Sequence, residues 1–398
     1  MRNAGSLEKL FELSSLYFSL PTPKFRRYLF DTIDFDSKII GILGQRGVGK
    51  TTLIRQMAQS YDLPPSKMLY ISADNIADTL SAIAKEFSSF GGKLLIIDEI
   101  HKASDFALEL KTIYDFLDIR VIFSGSSALE IENSKADLSR RVLFYELSSL
   151  SFREFLGIKY GLELPVFTLL DILENHQDIS ARLKKEFKPL EYFASYKEFG
   201  SYPFFTEGER GYKLRLNEII NIVLDSEVAT IYNVDSDKIN TMRRLLHFLC
   251  ASVPVELNIQ SLANGAGVSR NTLYSYLYYL QKAGLIEIVG GAYANKKLLK
   301  KPDKIYLENI NLYGVLCSNQ NIGSLRESFF VSQLKVGYTV KYAEKGDFVV
   351  DDRYIFEIGG RGKEFSQIKD IPNSFLALDD TEIGFGAKIP LWLFGFLY

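Results

Sequence analysis

A chain of 398 residues, 47% hydrophobic and 24% charged, carries enough apolar side chains for two or three separate cores, which excludes a disordered or low-complexity protein. Its net charge of −2 excludes a globally basic nucleic-acid binder, so any basic face must be local. Its two cysteines, Cys250 and Cys317, sit in apolar surroundings without CxxC spacing; that argues against a disulfide framework or a structural zinc site and suits a reducing cytoplasm.

In chain order, Leu7, Leu10, Phe11 and Ser14, with Glu8 and Glu12 between them, predict an amphipathic helix rather than a signal peptide. No run reaches the ~20 apolar residues of a membrane span. The most apolar stretch, Ile389 to Tyr398, is half that length and is expected to be a buried strand. No membrane partner is expected, and the compartment is read as cytoplasmic.

The apolar run Lys38 to Leu43 leads into Gly44-Gln45-Arg46-Gly47-Val48-Gly49-Lys50-Thr51, and Thr52 to Met57 follows with helical character. This is G-x-x-x-x-G-K-[ST] in a strand–loop–helix setting. Glycines let backbone N–H groups turn toward phosphates, and the helix N-terminus adds positive partial charge. Lys50 reaches the β/γ-phosphates and Thr51 offers a hydroxyl to Mg²⁺. The residues from Gly44 to Thr52 are thus expected to hold a nucleoside triphosphate, with ATP and Mg²⁺ as ligands.

A short strand, Lys67 to Ser72, and a helix around Ile76 to Phe90 come next. The unbroken apolar run Leu94-Leu95-Ile96-Ile97 then ends in Asp98-Glu99, as a parallel strand buried on both faces reads. An aspartate at such a strand end holds the Mg²⁺ water shell, and the adjacent glutamate orients and deprotonates water. Asp98 is the metal candidate beside Thr51, and Glu99 the base. The strand Ile119 to Phe123 runs into Ser124-Gly125-Ser126-Ser127, where Ser126, then Ser124, is the candidate to sense the γ-phosphate or hold the water; a plain serine-rich turn is the alternative. Arg140-Arg141 precedes the strand Val142 to Leu147. An arginine there suits phosphate charge, in its own chain or in a neighbour's site, but is equally a solvated surface feature.

The runs GQRGVGKTTL, LLIIDEIHK, VIFSGSSALE and SRRVLFYELSSLSFREF resemble the AAA+ ATPases of the archaeal-type and bacterial group, whose members carry a helix-turn-helix and a nuclease-like C-terminal domain. The likeness continues through Phe199-Gly200-Ser201-Tyr202-Pro203 and IPLWLFGFLY. In that family glycine usually precedes the arginine before the strand; Arg140 stands there, so Arg141 is the better match. The resemblance implies an α/β fold: an AAA+ P-loop parallel sheet in 1–150, a helical lid or connector in 151–235, a winged helix in 236–306, and a small, degenerate nuclease-like α/β domain in 307–398.

Residues of the third segment fit that order. Met242, Leu245, Leu246 and Leu249 mark one helix face, Ile259 to Ala263 starts a second helix, and Arg270 to Leu280 makes a third with Ser269 as N-cap. If it meets DNA, Ser269, Arg270, Asn271 and Tyr274 lie at the exposed start of the recognition helix. Lys282, Lys296, Lys297, Lys300, Lys301 and Lys304 would then supply phosphate contacts. A plain packing or protein-contact module is the alternative, and self-association is an open expectation.

Beyond Gly323 the expected order is helix, strand, strand, helix, strand. Glu327 on the helix, Asp347 after Gly346 and Glu357 on a strand resemble the acids of the PD-(D/E)xK core, with Gln367 opening a later helix. Gly359 stands where that core has its lysine, so cleavage is not expected unless Arg361 or Lys363 reaches in.

Overall fold

The computed structural model describes residues 4–126, 138–251, 259–290 and 304–398. The chain forms two compact units, Met1–Ser148 and Ser149–Tyr398, and the second joins the three segments expected from 151 onward.

In the first unit, β1 (Ile39–Leu43), β2 (Met68–Ser72), β3 (Leu94–Asp98), β4 (Arg120–Gly125) and β5 (Leu143–Glu146) make an all-parallel sheet in the order β2-β3-β4-β1-β5. β1 and β3 are buried along their whole length, because helices cover both faces of such a sheet and leave no strand position for a polar side chain. α1 (Ala4–Ser19) covers the β2 side; its Leu7 and Leu10 join a core with Leu69, Ile71, Leu95, Ile97 and Phe87. α2 (Lys50–Gln59) starts at the glycine loop, and α3 (Leu80–Ser89) and α4 (Phe106–Phe116) connect the strands that follow. Parallel register brings the C-terminal ends of β1, β3 and β4 to one edge, and everything described below in this unit as a site stands there.

The second unit opens with helices. A capping box at Ser151 and Glu154 starts Phe152–Tyr160, and a second at Thr168 and Asp171 starts Leu169–Leu183. The helices Ser236–Ala251, Ile259–Ala266 and Arg270–Lys282 precede the antiparallel pair β6 (Ile286–Val289) and β7 (Lys304–Leu307). A second sheet has the order β12-β11-β10-β9-β8 from β8 (Val340–Tyr342), β9 (Phe348–Val350), β10 (Tyr354–Gly359), β11 (Ser374–Leu378) and β12 (Lys388–Pro390).

Three expectations are corrected. Cys250 and Cys317 form a disulfide with Cα atoms 5.2 Å apart, joining the ends of the helices Ser236–Ala251 and Ile310–Leu316 across 67 residues of sequence; spacing along the chain carried no sign of that approach. The apolar C-terminal run is strand only at Lys388–Pro390 and continues as a buried 3₁₀ turn, Leu391–Phe396. Phe396 accepts from the Phe167 N–H there and packs edge-on against Phe152, so burial is achieved without a ladder. Gln367 lies in a turn, not a helix.

Candidate active site

The loop Gly44 to Gly49 follows β1 directly, and its backbone requires glycine at particular places. A Cβ on Gly44 would stand 2.4 Å from the Leu147 carbonyl oxygen, so no side chain fits there. Gly49, at φ 99° immediately before α2, occupies the left-handed region that favours glycine and turns the chain into the helix. Arg27, buried, donates to the Val48 carbonyl at 2.8 Å and to the Ser148 carbonyl at 2.8 Å, which ties the loop to the segment before β1. Lys50 folds its ammonium back onto the Gly44 and Gln45 carbonyls, each at 2.8 Å.

Asp98 ends β3 and is buried. One carboxylate oxygen accepts from the Thr51 hydroxyl at 2.9 Å and from the Tyr70 hydroxyl at 3.2 Å; the other accepts from the Ser124 hydroxyl and the Glu99 N–H. A hydroxyl and a buried carboxylate meeting at a phosphate-type loop are hard oxygen donors, the chemistry Mg²⁺ takes. Thr51 and Asp98 would hold that ion, and the loop N–H groups with Lys50 the phosphates. Burial, with the Asp98 charge next, raises the Tyr70 phenol far above its ordinary value, so it remains a hydrogen-bond donor to Asp98. Tyr70 stacks on Tyr17 at 3.7 Å between centroids, and the Tyr17 hydroxyl donates to the Thr51 carbonyl.

Glu99 adopts a left-handed conformation, φ 53°, and its N–H donates to the Ser124 hydroxyl at 2.9 Å. Its carboxylate faces two cations: Arg46 at 3.4 Å and Lys102, one turn on in Ile100–Lys102. Lys102 also pairs with Asp74; against an opposing desolvation, hydrogen bonds to Asp74 and Glu99 raise the lysine above its usual value.

Of the two candidate serines, Ser124 meets Asp98 through its hydroxyl, whereas the Ser126 N–H donates to the His101 ring at 3.4 Å. Arg141 is bidentate to Asp115, at 3.0 and 3.1 Å, and lies over the Tyr114 ring, while the Tyr114 carbonyl accepts from Lys38 at the start of β1. The loop is at the other end of that five-residue strand, about 16 Å along at ~3.3 Å per residue. Arg141 therefore stands away from the loop of its own chain, paired with Asp115. Arg140 is exposed beside it.

Tyr70, Arg27, Lys102 and His101 were not singled out in the sequence. The signal for Tyr70 was its place near the end of β2, because Ser72 and Asp98 are in register there.

In the second unit, Ser269 caps its helix by accepting from the Thr272 N–H at 3.1 Å. Ser269, Arg270 and Asn271 are exposed, Tyr274 is half-buried, and Arg270 donates to Gln260. Lys282 lies over the Tyr278 ring. Lys296, Lys297, Lys300 and Lys301 lie outside the described residues, as does Ser127. Lys304 contradicts its assignment as a phosphate contact: buried on β7, it bridges Glu327 at 2.9 Å and Asp347 at 3.0 Å. Glu357 pairs with Lys363 at 2.5 Å and accepts from the Gln367 amide. Glu327, Asp347 and Glu357 are thus each matched to a lysine. Gly359 has no room for a side chain, since a Cβ there would meet Lys363 at 2.6 Å. Arg361 is exposed.

No described helix is long and apolar enough to cross a membrane. Residues 36–156 match a family model described as an AAA domain, and residues 190–322 a domain of unknown function, DUF8612. An uncharacterized protein of Methanocaldococcus jannaschii is 27% identical over 371 residues, 84% of this chain and 78% of that protein. The solved structure of C. elegans PCH-2 aligns over 39% of this chain and 44% of that one at 16% identity, with a TM-score of 0.25. The parallel sheet and the loop at the end of β1 make a P-loop NTPase-type α/β fold, and residues 36–156 are similar to AAA domains.

Proposed function

We propose that the chain is a Mg²⁺-dependent ATPase that couples nucleotide turnover in its first unit to a DNA-associated second unit. The observation that carries the reading is the Thr51 hydroxyl at 2.9 Å from the buried Asp98 carboxylate, at the end of a glycine loop and next to Glu99. In it, Lys50 and the loop N–H groups bind the phosphates, and Thr51 and Asp98 hold Mg²⁺, which supplies charge neutralisation when bound. Glu99 takes the proton of the attacking water.

Lys50→Ala is expected to abolish nucleotide binding, and Glu99→Gln to keep binding while turnover falls ~10²–10⁴-fold. Titration with a fluorescent ATP analogue and steady-state phosphate release check both. Hydrolysis surviving in each variant sinks the assignment.

A second reading, a nucleotide-dependent switch that barely turns over, is favoured by one observation: both Glu99 carboxylate oxygens face cations. Negligible multiple turnover with and without DNA, combined with an ATP-dependent change in DNA affinity, would select it. For the nuclease reading, Lys363 does reach Glu357 from the following loop, but Lys304 stands between Glu327 and Asp347. An ammonium there does by charge what a divalent cation would do, and the cluster is read as a buried structural one.

A further inference from the structure

Thr51 and Asp98 belong to different elements, the start of α2 and the end of β3, and a metal site between them depends on how firmly the two are held together. Two tyrosines from outside both elements hold them. Tyr70, on β2, donates its hydroxyl at 3.2 Å to Asp98 Oδ2, the same oxygen that accepts from the Thr51 hydroxyl. Tyr17, on α1, donates its hydroxyl at 3.0 Å to the Thr51 carbonyl. The two rings lie face to face, 3.7 Å between centroids and 6° from parallel, so both hydroxyls belong to one stacked unit.

The four residues therefore close a ring: Thr51 to Asp98 through side chains, Asp98 to Tyr70, Tyr70 to Tyr17 by stacking, and Tyr17 back to the Thr51 main chain. That ring is fixed from outside as well. Ser14, buried on the same face of α1 as Tyr17, accepts from the Tyr70 N–H at 2.9 Å, and Arg55 of α2 lies over the Tyr17 ring at 5.6 Å. Tyr17 and Asp98 are buried, whereas Thr51 is exposed at the loop. A hydroxyl whose proton is committed to a carboxylate presents its lone pairs to a cation. Groups constrained in this way lose little freedom on binding, which suits Mg²⁺: it demands near-ideal geometry, where Ca²⁺ accepts flexible ligand sets.

We propose that Tyr70 and Tyr17 are positioning residues for the divalent cation: by fixing Asp98 and the Thr51 main chain against each other, they preorganise the pair for Mg²⁺ and set its preference over Ca²⁺. Neither phenol is a ligand. Each acts through the residue it holds, as outer-shell donors do at other metal sites, where losing one costs roughly 10–100-fold in metal affinity. This inference rests on the ATPase reading given above.

The test measures, in the full chain, how far Mg²⁺ and Ca²⁺ strengthen binding of a slowly hydrolysed fluorescent ATP analogue over its binding in EDTA, for wild type, Tyr70→Phe, Tyr17→Phe and Thr51→Ala. Tyr70→Phe keeps the ring and removes only the hydroxyl. It is expected to reduce the Mg²⁺ enhancement about 10-fold or more and the Ca²⁺ enhancement less than about 3-fold, with binding in EDTA within about 3-fold of wild type. Tyr17→Phe is expected to act in the same direction to a smaller degree, and its result decides if Tyr70→Phe does not fold. An unchanged or larger Mg²⁺ enhancement would make the phenols bystanders or competitors for Asp98. Equal losses of the Mg²⁺ and Ca²⁺ enhancements would deny the ion preference, and equal weakening in Mg²⁺, Ca²⁺ and EDTA would make the tyrosines plain packing. Each of these results overturns the proposal while leaving the ATPase reading intact. Wild type that binds no nucleotide, or whose binding ignores both Mg²⁺ and Thr51→Ala, would overturn both.

Discussion

At the scale of single residues, the candidate site depends on side chains from outside the glycine loop. Arg27 is buried and makes two 2.8 Å bonds to carbonyls on either side of the loop, Val48 and Ser148. Removing it leaves both carbonyls without that donor, and hydrogen bonds from a charged group are worth ~1.5–3 kcal/mol each. Arg27→Ala is therefore expected to destabilise the first unit by at least ~2 kcal/mol and to weaken nucleotide binding together with it. Chemical denaturation followed with and without ATP checks this, and unchanged stability would show that the carbonyls find other donors. Tyr70 acts differently, because its burial keeps the phenol protonated and so a fixed donor to Asp98.

At the scale of elements, the lysine on β7 decides how the carboxylate cluster behaves. Burial first, and the Asp347 charge second, raise the Glu327 carboxyl above its ordinary value, against the opposing pull of Lys304 and Tyr306. A group raised in the folded state contributes stability that is complete below its unfolded value and is lost as pH rises through the folded one. Lys304→Met removes the compensating ammonium, so at neutral pH the expected cost is ~3–5 kcal/mol for the unpaired carboxylates. That cost should shrink as the pH falls and they take up protons. Melts at about pH 5 and about pH 7.5 measure it, and a loss equal at both would assign the effect to packing instead. The helix Arg270–Lys282 illustrates the converse, since a cap read from Ser269 and its apolar spacing is a local property and appears in the structure as such.

At the scale of the whole molecule, the proposed function links nucleotide turnover in the first unit to DNA association of the second. The proposed coupling predicts that a slowly hydrolysed ATP analogue changes the affinity of the full chain for duplex DNA by ~5–150-fold, the range of ordinary two-site linkage. It also predicts that log affinity falls linearly with log salt, with a slope near −0.9 per phosphate contacted. Arg270→Ala should lower both the affinity and that slope. Gel shift or anisotropy titrations across a salt series check it, and binding insensitive to both salt and nucleotide would count against DNA as the partner.

The sequence by itself determined what depends on neighbours along the chain. The glycine loop with Lys50 and Thr51, the apolar strand closing on Asp98 and Glu99, and the helix starting at Ser269 are each encoded in fewer than a dozen consecutive residues, because strand, turn and cap chemistry act over that range. Tertiary structure alone decided what those residues meet. Parallel register sets Ser124 and Tyr70 on Asp98, a crossing of elements brings Arg46 to Glu99, and the distance along β1 removes Arg141 from its own loop. Lys304 reaches acids 23 and 43 residues away, and Cys250 reaches Cys317 across 67. Such pairings follow from how buried faces stack and which charges are left to be compensated inside, and no local pattern records that.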